Sequence, residues 1–216
     1  MISELIGQRV RGSMLGIGRV LARLGVSANS LTILGLLLNV AVALVIASGH
    51  PRWGGLFLLL ASAFDMLDGA VARATQTISR LGGFLDSTLD RYSEVFVFGG
   101  VLIYVIGTDD AELGAVLIFI ATTGALLISY ARARAEAAGY PATVGLVARP
   151  ERVVLLAISL IVGEPLWALW FLAVATHLTA VTRIVHVYRL AQAEASDQPA
   201  TAASGRTSAA HPTERQ

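Results

Sequence analysis

The sequence predicts an all-α membrane protein of six transmembrane helices preceded by an amphipathic helix in the membrane interface, and three observations carry that reading. Of the 216 residues 55% are hydrophobic and 14% charged, with a mean hydropathy of +0.69, so there is too little polar surface to coat a water-soluble globule. Apolar runs long enough to cross about 30 Å of hydrocarbon, roughly 20 residues each, recur along the chain. Arginines collect in alternate connections, the pattern expected of cytoplasmic segments.

The elements follow in order. Residues 2–24 space Ile2, Leu5, Ile6, Val10, Leu15, Val20 and Leu21 among arginines, which predicts a helix lying in the cytoplasmic interface. A signal peptide does not fit, because the first long apolar run begins too late and no small-residue cleavage site follows it. The membrane spans are expected at 30–49, 53–72, 83–106, 112–132, 150–163 and 165–188, with Gly163 and Pro165 leaving only a tight turn between the last two. Arg9, Arg11, Arg19 and Arg23 precede the first span, Arg73 and Arg80 follow the second, and Arg132, Arg134, Arg149 and Arg152 follow the fourth. The opposite connections carry His50 and Arg52, then Asp109, Asp110 and Glu112, then Glu164. A multi-pass protein of the cell membrane with both termini in the cytoplasm is expected. From about residue 191 the chain is rich in Ala, Ser, Thr and Pro without apolar periodicity, which predicts a disordered cytoplasmic tail. The expected division is thus 1–24 interfacial helix, 25–190 membrane domain and 191–216 tail.

Cysteine and lysine are absent, and all 16 basic residues are arginines. Thiolate ligands, disulfides and cysteine nucleophiles are therefore excluded. The chemistry is carried by aspartates. FDMLDGAVAR closes the second span with Asp65 and Asp68 three residues apart, and GGFLDSTLD opens the third with Asp86 and Asp90 four apart. Each pair shares a helix face, and a short connection brings the two pairs together at the cytoplasmic side. One acidic residue at a helix end is ordinarily a solvated cap; four at paired helical spacings beside hydrocarbon repel one another and resist desolvation unless a cation compensates them. All-oxygen ligation favours magnesium, manganese or calcium over zinc. Such ions complete their shells with water and substrate phosphate, which points to a phosphoryl or pyrophosphate ligand. Gly69 allows close approach of that ligand, Arg73 offers a forked cation and Ser79 a hydroxyl.

The segment from Asp65 to Asp90 reads D-x-x-D-G-x-x-A-R, eight residues, then G-x-x-x-D-x-x-x-D. It resembles the signature of the CDP-alcohol phosphotransferases, with Asp65, Asp68, Gly69, Ala72, Arg73, Gly82, Asp86 and Asp90 at every fixed position. The resemblance implies a six-helix enzyme, usually a homodimer, that displaces CMP from a CDP-linked lipid by an acceptor alcohol with the help of two Mg2+ ions, Mn2+ being a substitute. It implies that Asp65, Asp68, Asp86 and Asp90 bind metal, and that Asp90 also takes the acceptor's hydroxyl proton. By the same resemblance Gly69, Arg73 and Ser79 contact the CDP group of CDP-diacylglycerol, as does the stretch Asn29, Ser30, Leu31 and Thr32. Read alone, Ser30 and Thr32 are ordinary residues of a helix N-terminus.

Candidate acceptor residues lie later. Ser129 with Arg132, and Arg149 with Arg152, are i, i+3 pairs at the cytoplasmic ends of the fourth and fifth spans, and Arg183 lies inside the sixth, where a lone guanidinium seeks an anion or the interface. Arg134 and Arg149 read equally well as phosphate contacts or as positive-inside determinants. The segments SYARARAE and RPER followed by a later arginine are similar to those of actinobacterial phosphatidylinositol phosphate synthases. That likeness implies inositol phosphate as acceptor, with Ser129, Arg132, Arg152 and Arg183 at its phosphate. Arg132 departs from the lysine of that pattern; arginine keeps the charge but is bulkier and forked. Phosphatidylglycerophosphate synthase and cardiolipin synthase are the rival readings within the family, and a cation transporter is the rival outside it. A transporter would place acidic groups near the midplane on several helices, whereas these cluster at one side of two. Membrane lipids are the expected surroundings, and no nucleic acid partner is expected.

Overall fold

In the computed structural model, which describes residues 16–197, every regular element is a helix. Residues 16–23 form α1, followed by α2 (Ala28–Ala47), α3 (Pro51–Ala74), α4 (Arg80–Ile106), α5 (Ala111–Ala137), α6 (Arg149–Val162) and α7 (Pro165–Asp197). The expected interfacial helix falls on described residues only from 16 onward; the rest of it lies outside them. Gly18 of α1 approaches the backbone of Ala70 in α3 so closely that a Cβ there would stand 2.7 Å from the Ala70 carbonyl carbon.

Sequence-local signals set the ends of the helices. Ser27 caps α2, its hydroxyl accepting from the Ser30 N–H at 3.1 Å, and Ser79 caps α4 by accepting from the Gly82 N–H at 3.0 Å. Pro51 and Pro150 occupy first turns, where a missing N–H costs no hydrogen bond. Helix α3 ends with Gln76 at φ +56° and the Thr77 N–H bonded back to the Ala72 carbonyl at 3.0 Å. That left-handed stop turns the chain sharply, so five residues suffice to join the acidic end of α3 to the acidic start of α4.

Helices α2, α3, α5 and α7 are long and apolar enough to cross a bilayer. Besides the short α1, two helices, α4 and α6, fall short for different reasons. Arg80, Asp86, Asp90, Arg91 and Glu94 crowd the first half of α4, and the 14 residues of α6 reach only about 21 Å. Helix α2 packs on α3 and α4, α4 on α5, α5 on α7, and α6 on α3 and α7. Contact is close where small residues meet: a Cβ on Gly100 of α4 would stand 2.8 Å from the Ala43 Cα of α2.

Because the helices alternate in direction, the core and the polar site lie at opposite ends. Val42, Ile46, Leu58, Ala61, Val97, Val101, Leu117, Leu156, Leu160, Leu169 and Leu172 form one buried apolar cluster. These positions are late in α2, α4 and α6 and early in α3, α5 and α7. The complementary halves all carry polar residues and meet at the other end. The long apolar side chains left exposed on the outer faces suit hydrocarbon, which needs no polar covering.

One boundary differs from expectation. Helix α7 continues to Asp197, so residues 191–197 are helical rather than part of a disordered tail. Ala-Gln-Ala-Glu-Ala is built of strong helix formers, and the Tyr140 hydroxyl donates to Glu194 Oε2 at 2.7 Å, tying this extension to the segment after α5. Residues 198–216 of the expected tail lie outside the described residues.

Candidate active site

The end of α3 and the start of α4 bring the four aspartates to the polar end of the bundle. Asp65 with Asp68, Asp86 with Asp65 and Asp68, and Asp90 with Asp65 and Asp86 are close enough to repel electrostatically. Each is held in a distinct way. Asp68, only 8% exposed, accepts from the Thr32 hydroxyl of α2 at 2.8 Å and from the Gly69 N–H. Asp65 packs against Gly35 of α2, where any Cβ would collide with its Oδ1. Asp90 meets Arg91 at 3.5 Å through Oδ2 and Arg149 at 2.7 Å through Oδ1. Arg149, the first residue of α6, also reaches Asp65 Oδ2 at 3.1 Å. One guanidinium therefore bridges carboxylates from α3 and α4.

Two cavities flank this cluster and share Gly83 and Asp86. The smaller, about 200 Å³, is lined by Asn29, Thr32, Asp68, Gly69, Arg73, Ser79, Gly82 and Asp86. It gathers most of the residues expected at the CDP group. Within that set Leu31 is buried, Ser30 is hydrogen-bonded to Ser27 at 2.8 Å, and Ser79 is engaged as a helix cap. Thr32, readable as an ordinary helix-start residue, instead links α2 to Asp68.

The larger cavity, about 890 Å³, contains Asp86, Asp90, Arg91, Ser129, Arg132, Arg149, Arg152 and Arg183. Its volume suits a polar small molecule. All four expected acceptor residues line it, but they differ in how committed they are. Arg152, 2% exposed, forks onto Glu94 with bonds of 2.8 and 2.9 Å. Arg183 donates to the Val144 and Ile128 carbonyls at 2.9 and 2.8 Å, fastening the loop before α6 and the end of α5. Arg132 forms an exposed pair with Glu136 at 2.7 Å, and Ser129 accepts from Arg91. Arg149 and Arg152 do not act as one pair, since they turn toward different carboxylates.

Sequence reasoning did not single out Arg91, Glu94 or Gly35, and it left Arg149 between two roles. A signal for the first two was present: Arg91 and Glu94 stand one and four residues beyond Asp90 in an otherwise apolar span, where charges are expensive. The buried Nε atoms of Arg91 and Arg149 have no hydrogen-bond partner among the described residues, which leaves donor capacity for an anion.

The donor set is carboxylate alone, and Asp65 with Asp90 already converges on one cationic group. Those features fit a hard divalent ion. As the side chains stand, no three His, Asp or Glu residues among those described are grouped tightly enough to hold one. Arg149 occupies the space between two of them, and Asp68 is turned onto its neighbour's N–H.

Comparison with known proteins identifies the family. Residues 25–202 match the family model described as CDP-alcohol phosphatidyltransferase. The chain is 39% identical to a phosphatidylinositol phosphate synthase of Mycobacteroides abscessus, over 76% of this chain and 78% of that one. Its fold is similar to the crystal structure of Mycobacterium tuberculosis phosphatidylinositol phosphate synthase with CDP-DAG bound, at a TM-score of 0.77 and 33% identity over 81% of this chain and 93% of that one. The same mycobacterial enzyme in complex with manganese and citrate matches at a TM-score of 0.76 and 34% identity, covering 81% and 88% of the two chains.

Proposed function

Because the chain belongs to the CDP-alcohol phosphatidyltransferase family, we propose that it transfers the phosphatidyl group of CDP-diacylglycerol to the hydroxyl of inositol phosphate, releasing CMP and forming phosphatidylinositol phosphate. The observation that carries this reading is the pair of cavities meeting at Asp86, one with the motif residues Gly69, Arg73 and Ser79 and the other rich in arginine. A donor with a pyrophosphate and an acceptor with its own phosphate need two such sites side by side. The mycobacterial relatives, solved with CDP-DAG and with manganese, support the donor and the use of a divalent cation.

In this reading the smaller cavity takes the CDP group. Arg73 and the Gly69 backbone receive phosphate oxygens, and Asn29 to Thr32 and Ser79 border the nucleotide. Asp65, Asp68, Asp86 and Asp90 would hold two divalent ions, Mg2+ in the cell with Mn2+ as substitute. Ions held there would neutralise charge on the pyrophosphate and on the CMP that leaves. Ser129, Arg132, Arg152 and Arg183 border the acceptor's phosphate and orient its hydroxyl toward the seam between the cavities. Asp90 takes the hydroxyl proton as the acceptor oxygen bonds to the lipid-side phosphorus and the phosphoanhydride bond to CMP breaks. Glu94 holds Arg152 in place, and Arg91 connects Asp90 to Ser129.

The finer topology belongs to the same proposal: six spans with α4 and α6 completing the bundle, a membrane domain over 25–190, both termini and the active site at the cytoplasmic face, and a homodimer. Arginine distribution supports the sidedness. A site at a helix end also gives a water-soluble acceptor and a membrane-embedded lipid access to the same atoms.

The test is CMP release by purified protein given CDP-diacylglycerol, Mg2+ and, in parallel, inositol phosphate, glycerol phosphate or free inositol. Release with inositol phosphate alone is expected. Release that requires glycerol phosphate and ignores inositol phosphate would move the chain to another branch of the family.

A further inference from the structure

Arg149 holds a position that no catalytic role assigned above explains. It opens α6, directly after the loop fastened by Arg183, and its two terminal nitrogens grip Asp65 on α3 and Asp90 on α4 at 3.1 and 2.7 Å. Its Nε is buried without a hydrogen-bond partner among the described residues, a cost that a permanent structural ion pair would ordinarily avoid. The same side chain lines the large arginine-rich cavity. A guanidinium bridging Asp65 and Asp90 and a divalent ion shared by those carboxylates would compete for one space. Displaced from the carboxylates, the arginine needs another anion, and the acceptor cavity lies beside it.

We propose that Arg149 is an exchangeable counter-ion, bridging Asp65 and Asp90 until a divalent cation takes their oxygens and then turning to the acceptor's phosphate, so that cation and acceptor bind cooperatively. The inference rests on the proposed function for the identity of the acceptor, but the exchange itself requires only a cation and a phosphate. The charge balance is direct: the carboxylates trade a monovalent partner for a divalent one, and the freed guanidinium pairs with phosphate as a fork. Linkage makes the effect reciprocal, so phosphate tightens cation binding by the same factor by which the cation tightens phosphate binding.

The experiment measures Mn2+ affinity of the full-length detergent-purified protein by electron paramagnetic resonance, alone and with inositol phosphate, inorganic phosphate or free inositol, after correction for Mn2+ bound by these compounds in solution. In the wild type both phosphates should tighten Mn2+ binding about tenfold, within the usual range of coupling between sites, and free inositol should not. Arg149→Gln should bind Mn2+ more tightly than wild type in the absence of phosphate and lose most of the enhancement. Arg149→Lys, which keeps the charge but cannot bridge as a fork, should retain a reduced enhancement and serves as the second variant if the glutamine protein does not fold. Thermal melting gives an independent readout: Arg149→Gln should melt lower than wild type in chelator and recover with Mn2+. Unchanged Mn2+ affinity in Arg149→Gln, or a phosphate enhancement equal to that of wild type in the variant that folds, would overturn the exchange. Wild-type CMP release in the acceptor panel separately decides the parent reading, since it involves no change at Arg149.

Discussion

The two cavities that meet at Asp86 are built in opposite ways. The smaller one is a product of neighbouring sequence: α3, a five-residue turn and α4 supply Asp68, Gly69, Arg73, Ser79 and Asp86, and only the start of α2 comes from farther away. The larger one draws Asp90 and Arg91 from α4, Ser129 and Arg132 from α5, Arg149 and Arg152 from α6 and Arg183 from α7. The first is fixed by helical spacing and one sharp turn. The second exists only when four helices pack, and it needs buried ion pairs and carbonyl contacts to hold its arginines apart. A site of fixed local geometry suits the chemistry common to a family, whereas a site assembled from distant helices can change its acceptor without disturbing that chemistry.

The largest predicted effect falls at the seam. Asp90→Asn should lower CMP release by about 10²- to 10⁴-fold, the usual value of a positioned base, in a protein that still folds but melts somewhat lower in chelator, because the charged pair with Arg149 is lost. Near-wild-type turnover would remove Asp90 as the base. Next comes the support of the larger cavity. Glu94→Ala leaves Arg152 buried and unpaired, a defect that costs about 3–5 kcal/mol, so the protein should melt well below wild type. An unaltered melt would mean that Arg152 finds water or another partner, and that the larger cavity does not depend on the Glu94 pair.

Thr32→Val probes the smaller cavity. It keeps the side-chain shape and removes the hydroxyl that donates to Asp68, a hydrogen bond to a charged group worth about 1.5–3 kcal/mol. The expected result is weaker Mn2+ and CDP-diacylglycerol binding with no change in the KM for inositol phosphate. A change in the acceptor KM instead would show that the two cavities do not divide the substrates. Smallest is Arg132→Ala, whose exposed pair with Glu136 contributes about 0.3–0.5 kcal/mol to the helix. Its melting temperature should stay put while the KM for inositol phosphate rises about tenfold, or about 1.4 kcal/mol. An unchanged KM would make Arg132 a positive-inside residue only.

The same contrast explains what could be read from the sequence. The spacing of Asp65, Asp68, Asp86 and Asp90 depends on two consecutive helices and a short turn, so their convergence was legible from residue numbers alone. A helix is present at each of the six expected apolar runs; their starts lie close to the expected ones, but α5 runs on to Ala137 and α7 to Asp197, past the expected ends at 132 and 188. Ser129, Arg132, Arg152 and Arg183 were legible as candidates, but their partners were not. That Arg152 pairs with Glu94 while Arg149, three residues earlier, crosses to Asp65 and Asp90 depends on the packing of α6 against α3, which lets its arginines reach side chains of α4. No local periodicity encodes it. Gly35 was equally silent, since its role is to leave room for a side chain 30 positions away. The helical extension to Asp197 was masked by a composition that suits both an alanine-rich helix and a tail.

The central claim is that a cationic centre at the seam of the two cavities serves both substrates. It is tested most directly by anomalous diffraction from crystals grown with Mn2+ and CDP-diacylglycerol. The account predicts Mn2+ among Asp65, Asp68, Asp86 and Asp90, with the cytidine end of the lipid in the cavity bordered by Arg73 and Ser79. Mn2+ found away from these aspartates, or the nucleotide found among Arg132, Arg152 and Arg183, would contradict it.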